Sequence, residues 1–159
     1  MIGVSHTTAS DDESGFTLLE VICVLAIVAM LAALILPAIP SGTSRTRLEA
    51  YAVATAALLK ADRNAAMRRA APVETALNSI AGTIRSGSGA SMVQLPPDVA
   101  FHAVLPEQCG GRVSGTTIEF FPSGMSCGGT ISLSRLGSTL EVRVAWLTGG
   151  VEIVPLKTF

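Results

Sequence analysis

Few side chains in this chain of 159 residues have both the type and the company that bond-making chemistry needs. There are two histidines. His6 lies near the N-terminus. His102 falls on the face opposite Val99, Phe101 and Ala103 in an alternating run, so it reads as the polar side of a strand and not as a base. Of the three cysteines, Cys23 sits in an uncharged apolar run and behaves there as a small apolar side chain. Cys109 and Cys127 could form a disulfide in an oxidising compartment, remain buried thiols, or contribute to a metal site. Zinc takes four ligands, and two cysteines with a distant His102 fall short of that. The tract Ser86-Gly87-Ser88-Gly89-Ala90-Ser91 has neither the Walker spacing nor a dinucleotide fingerprint and reads as a flexible connection. No carboxylate pair is set for acid–base work. The chain therefore reads as a non-enzyme, with no metal and no cofactor expected.

One acid is nonetheless out of place. Residues 21–37, VICVLAIVAMLAALILP, carry no charge, and the apolar run extends over 16–39 with Glu20 as its single charged residue. A bilayer core of about 30 Å needs about 20 helical residues, so one transmembrane helix fits 16–39. A carboxylate in such a helix costs about 2 to 3 kcal/mol unless it is neutralised. Its context is Ser14-Gly15-Phe16-Thr17-Leu18-Leu19-Glu20-Val21. Cleavage after Gly15 would leave an α-amine on Phe16, a cation near neutral pH, one helical turn from Glu20 on its own chain or a staggered neighbour. A secretory signal peptide is a poor description of residues 1–15, which hold Asp11, Asp12 and Glu13 and no Lys or Arg.

Gly15-Phe16-Thr17-Leu18-Leu19-Glu20-Val21, followed by the apolar run and Pro37, resembles the class III leader of type IV pilins and type II secretion pseudopilins. The resemblance implies that residues 1–15 are a leader, that a prepilin peptidase cuts after Gly15 and N-methylates Phe16, and that Glu20 serves filament assembly. Pro37 removes a helical hydrogen bond and would kink the helix or end it. The resemblance favours a bend, and Thr43 or Ser44 could cap a fresh helix if the first one ends.

Residues 45–69 contain no Gly or Pro and are rich in alanine. Leu48, Tyr51, Thr55, Leu58, Leu59, Ala66 and Met67 form an apolar stripe, while Glu49, Lys60, Arg63, Asn64 and Arg68 mark a solvated side. Arg68 and Arg69 suit the last turn, and Pro72 closes it. Residues 40–71 are thus the amphipathic half of a long helix. Beyond it, short segments at 73–77, 83–85, 92–95, 99–105, 116–121, 130–134, 139–146 and 151–154 are separated by Gly, Ser and Pro. Several of them alternate with the two-residue period of half-buried strands, and Thr148-Gly149-Gly150 marks a hairpin. The expected fold is α+β, a long N-terminal helix packed on an antiparallel β domain at 72–159 whose core the helix completes.

Composition narrows the function further. Apolar residues make up 49% and charged residues 14%, with a formal net charge of -1. That excludes intrinsic disorder and a basic nucleic-acid binder, and no nucleic-acid partner is expected. The stretches 117–126, 128–133, 140–144 and 147–153 resemble the C-terminal pattern of the H-type minor pseudopilins (GspH) and the related FimU minor pilins. The resemblance implies a minor pseudopilin of a type II secretion system, single-pass in the inner membrane with a periplasmic head. Its partners would be other major and minor pseudopilins, the prepilin peptidase, the inner-membrane assembly platform and secreted substrates. A minor pilin priming a type IV pilus, or a signal-anchored periplasmic domain, are the alternatives.

Overall fold

The computed structural model describes residues 16–35 and 42–157. The chain divides into an N-terminal unit, Met1–Ile39, and a head, Pro40–Phe159, each taken by itself below.

In the first unit the Leu-, Ala- and Val-rich sequence forms α1, Leu18–Ile35. Thr17 caps it: its Oγ1 accepts the Glu20 N–H at 3.3 Å and its carbonyl accepts the N–H groups of Glu20 and Val21. The side chains of 16–32 are exposed all round. Among the described residues no helix is long and apolar enough to cross a membrane. The 18 residues of α1 rise about 27 Å, just under the about 30 Å of a hydrocarbon core. The rest of the expected 16–39 run, Pro37 included, lies outside the described residues.

The head opens on α2, Arg45–Arg69, whose N-cap Ser44 accepts the Arg47 N–H and whose C-cap Ala70 turns left-handed at φ 49°. Residues 42–44 are not helical, so α2 starts afresh at that cap. Its buried face comprises Leu48, Ala52, Thr55, Ala56, Leu58, Leu59, Asp62, Ala65 and Ala66. Met67 is 37% exposed at the edge of this stripe.

Ten strands follow, β1 Val73–Asn78, β2 Thr83–Arg85, β3 Met92–Gln94, β4 Ala100–Val104, β5 Gln108–Cys109, β6 Arg112–Val113, β7 Thr117–Phe120, β8 Gly129–Arg135, β9 Ser138–Val144 and β10 Val151–Lys157. They form two four-stranded antiparallel sheets, β3-β2-β1-β7 and β10-β9-β8-β4, and the small hairpin β5-β6. The hairpin is new relative to the sequence reading; its Gly110 and Gly111, at φ 57° and 80°, supply the two left-handed positions of a tight turn. Alternation places Val73, Thr75 and Leu77 of β1 inward. The helix packs against strands of both sheets. The core it completes contains Leu48, Leu59, Ile84, Ile118, Phe120, Ile131, Leu133 and Val142, each under 2% exposed, and each such side chain stabilises by about 1.5 to 3 kcal/mol. Strand β10 runs through Pro155, opposite Leu140, which is tolerated because β10 lies at the sheet edge.

Candidate functional site

At the N-terminal end Gly15 lies outside the described residues. Phe16 precedes the helix and is 85% exposed. Glu20 stands exposed in the first turn of α1, where its charge suits the positive end of the helix dipole. Among the described residues no hydrogen bond or ion pair engages its carboxylate. The two residues of interest are therefore both accessible, one just before the helix and one in its first turn.

The head is fastened at three places that sequence reading did not single out. At the start of α2, Asp98 accepts the Thr43 N–H and O–H, both at 2.9 Å, and pairs with Arg135 Nε at 2.9 Å. The hydrogen bonds from the Thr43 N–H and hydroxyl, with the Arg135 charge adding to them, hold the Asp98 carboxyl below its ordinary pKa.

In the middle of α2, Asp62 is wholly buried. Its oxygens accept from Thr75 Oγ1 at 2.6 Å, Ser86 Oγ at 2.5 Å, Gly87 N–H at 3.1 Å and Ser88 N–H at 3.2 Å. Burial pushes its pKa up, but the hydrogen bonds from Ser86, Ser88, Thr75 and Gly87 outweigh it, and the net direction is down. The Ser86–Ser91 tract is thus not a loose connection: Ser86 is buried and its N–H bonds Ser91 O. Gly87 must be glycine, because a Cβ there would run into the Glu74 carbonyl.

One residue further along α2, Arg63 Nε donates to Gly124 O at 2.9 Å, so Arg63 is a clamp and not part of the solvated side. Gly124 and Gly149 adopt φ 83° and 60°. A Cβ on Gly149 would collide with the Gly124 carbonyl and approach Arg63. The two glycine turns of the C-terminal sequence pattern therefore meet on one arginine.

The sulfurs of Cys109 and Cys127 are joined, with Cα atoms 5.5 Å apart. Glu119, 6% exposed, lies 3.5 Å from Cys109 Sγ and 3.4 Å from an Arg112 nitrogen. The donor atoms of Cys109, Glu119 and Cys127 lie within 4.8 Å of one another, but sulfurs joined to each other offer no thiolate to a metal. His102 is exposed on β4.

With this geometry in place, similarity to known proteins becomes specific. Residues 11–36 match the family model of the prokaryotic N-terminal methylation motif, which covers Gly15, Phe16, Glu20 and all of α1. The described part of the chain resembles the minor pseudopilin EpsH from the type 2 secretion system of Vibrio cholerae, with a TM-score of 0.54 at 11% identity over 67% of this chain and 95% of that one. It also resembles the type IV minor pilin FimU of Pseudomonas aeruginosa, with a TM-score of 0.50 at 15% identity over 71% and 92%. The head has the minor-pseudopilin fold. In sequence, the chain is 29% identical over 144 residues to type II secretion system protein H of Xanthomonas campestris pv. campestris, spanning 91% of this chain and 85% of the relative.

Proposed function

We propose that this chain is a minor pseudopilin, a structural subunit of the periplasmic pseudopilus of a type II secretion system. The observation that carries the reading is the joint presence, on one chain, of the methylation motif at 11–36 and a head of minor-pseudopilin fold. Similarity to protein H along most of both chains supports it.

In this scheme the chain inserts once into the inner membrane through 16–39, with the head in the periplasm. A prepilin peptidase removes 1–15 by cutting after Gly15 and N-methylates Phe16. The new amine on Phe16 neutralises Glu20, its own or a neighbour's, as the subunit leaves the assembly platform for the filament. Pro37 interrupts the helical hydrogen bonding ahead of the separately capped α2. Cys109 and Cys127 hold the head closed as a disulfide in the oxidising periplasm. Major and minor pseudopilins pack beside it, and the filament they form moves secreted proteins outward. The role is mechanical, with no catalytic step assigned.

Expression of Gly15→Ala and Glu20→Ala in a strain lacking the native gene tests the scheme. Gly15→Ala should keep the leader on the chain, and both variants should lose secretion; normal secretion by both overturns the proposal. The FimU likeness favours a second reading, a minor pilin of a type IV pilus. A deletion strain that loses pili while secreting normally selects that one.

A further inference from the structure

The tightest turn of the second sheet carries the wrong residue for a turn. The β8–β9 connection is Leu136-Gly137, with φ of 47° and 76°, the backbone in which Asn, Asp or Gly is the ordinary choice at the first position. Leu136 is nevertheless 87% exposed, so no packing within the head accounts for an apolar side chain there. This tip borders a shallow depression shared with Gly42, Ser44, Arg45 and Arg135, at the very start of the head. Arg45, which lines it, and Arg47 are both exposed in the first turn of α2. Arg45 is matched by Glu49 at 3.3 Å and Arg135 by Asp98, while no acid pairs with Arg47 among the described residues. This end of the head thus combines a projecting apolar side chain at the tip with one arginine in the first turn of α2, Arg47, that no acid offsets among the described residues.

The length of chain outside the described residues says what can cover it. Only residues 36–41 separate Ile35, the end of α1, from Gly42. That stretch spans at most about 25 Å fully extended. A surface at Gly42 therefore stays within that reach of whatever holds the apolar C-terminal end of α1.

We propose that the β8–β9 tip and the first turn of α2 form a docking surface for the bilayer interface. Leu136 enters the headgroup boundary, and Arg45 and Arg47 face anionic phospholipid headgroups. The proposal rests on the membrane reading of α1 given above. It assigns to the head, before the subunit joins a filament, a contact with lipid headgroups.

The test uses the full chain reconstituted in vesicles of phosphatidylcholine alone or mixed with phosphatidylglycerol, with acyl chains brominated to quench tryptophan. Trp146 is the only tryptophan, so Trp146→Phe supplies a silent background. In it, Leu136→Trp reports the tip and Leu25→Trp reports α1. The expected result is quenching at both positions. Quenching at 136 should be stronger with phosphatidylglycerol and should lose that dependence in Arg45→Gln/Arg47→Gln. Quenching at 25 with water-like emission at 136 overturns this proposal alone. A blue-shifted, unquenched tryptophan at 136 overturns it in favour of a protein contact, such as a second copy. Equal quenching at 136 in both lipids overturns the anionic assignment. No quenching at 25 overturns the membrane reading of α1 as well.

Discussion

Ser86 Oγ donates to Asp62 Oδ1 at 2.5 Å, joining the middle of α2 to a serine-glycine loop 24 residues further along the chain. Among the described residues Asp62 has no countercharge; hydrogen-bond donors stabilise it, which ties the loop's shape to the ionisation of one acid. Asp62→Ala should cost about 3 kcal/mol or more, since it strands several buried donors. Urea unfolding at neutral pH checks it, and a midpoint within error of the wild type contradicts the staple.

The same acid gives the head a pH dependence with a definite sign. Its folded pKa is lowered, so its contribution is fully present above the unfolded value of about 3.9 and disappears as pH falls through the lower folded value. Asp98 acts in the same direction. Wild type should therefore lose stability steadily as pH drops from about 5 towards 2, while Asp62→Asn, already destabilised at neutral pH, should show a shallower decline. Equal slopes for the two proteins would remove Asp62 from the account.

Glycines at two turns should respond differently to the same change. Gly149→Ala forces a Cβ against the Gly124 carbonyl, a backbone atom that cannot swing away, and it also carries the left-handed strain. Gly137→Ala meets nothing within 4 Å and should cost only that strain, about 1 to 2 kcal/mol. Thermal melts of the two variants should differ clearly, with Gly149→Ala the lower; matching melting temperatures would mean that the meeting of the two turns is not as tight as drawn. Arg63→Ala should lose about 1 kcal/mol with its hydrogen bond to Gly124.

Reduction of the Cys109–Cys127 bridge, or Cys127→Ser, should lower stability by about 3 kcal/mol for a loop of this size. Non-reducing mass measurement of the native protein should find only Cys23 free. Alkylation of all three cysteines without a reductant would refute the bridge.

The body of α2 was legible in its unbroken alanine-rich run and apolar period, but its start was not: 40–71 read as the continuation of a long helix, with a cap at Thr43 or Ser44 only as the alternative, whereas α2 begins at the Ser44 cap. The strands were legible wherever alternation lasted four residues or more, as in β8 and β9. β5 and β6 escaped because two-residue strands have no period to read, although Gly110-Gly111 was a turn signal. Asp62 escaped because a lone acid among alanines looks solvated. Its place was readable all the same: it lies three and four residues from Leu59, Leu58, Ala65 and Ala66, squarely on the apolar stripe. Arg63 and the Ser86 loop could not be read, since their partners lie 61 and 24 residues away and only the closed fold brings them together.

Pro155 has a consequence beyond its strand. Ala145 N–H bonds Gly150 O, and with the β9–β10 register the alternation of an antiparallel ladder turns the nitrogen of residue 155 away from β9. The open rim of the second sheet thus lacks a donor at its centre, between Ile153 and Lys157. A strand from another copy trying to zip onto that rim would meet a gap and a ring. Heads crowded side by side are thereby steered away from edge-to-edge ribbon growth along β10.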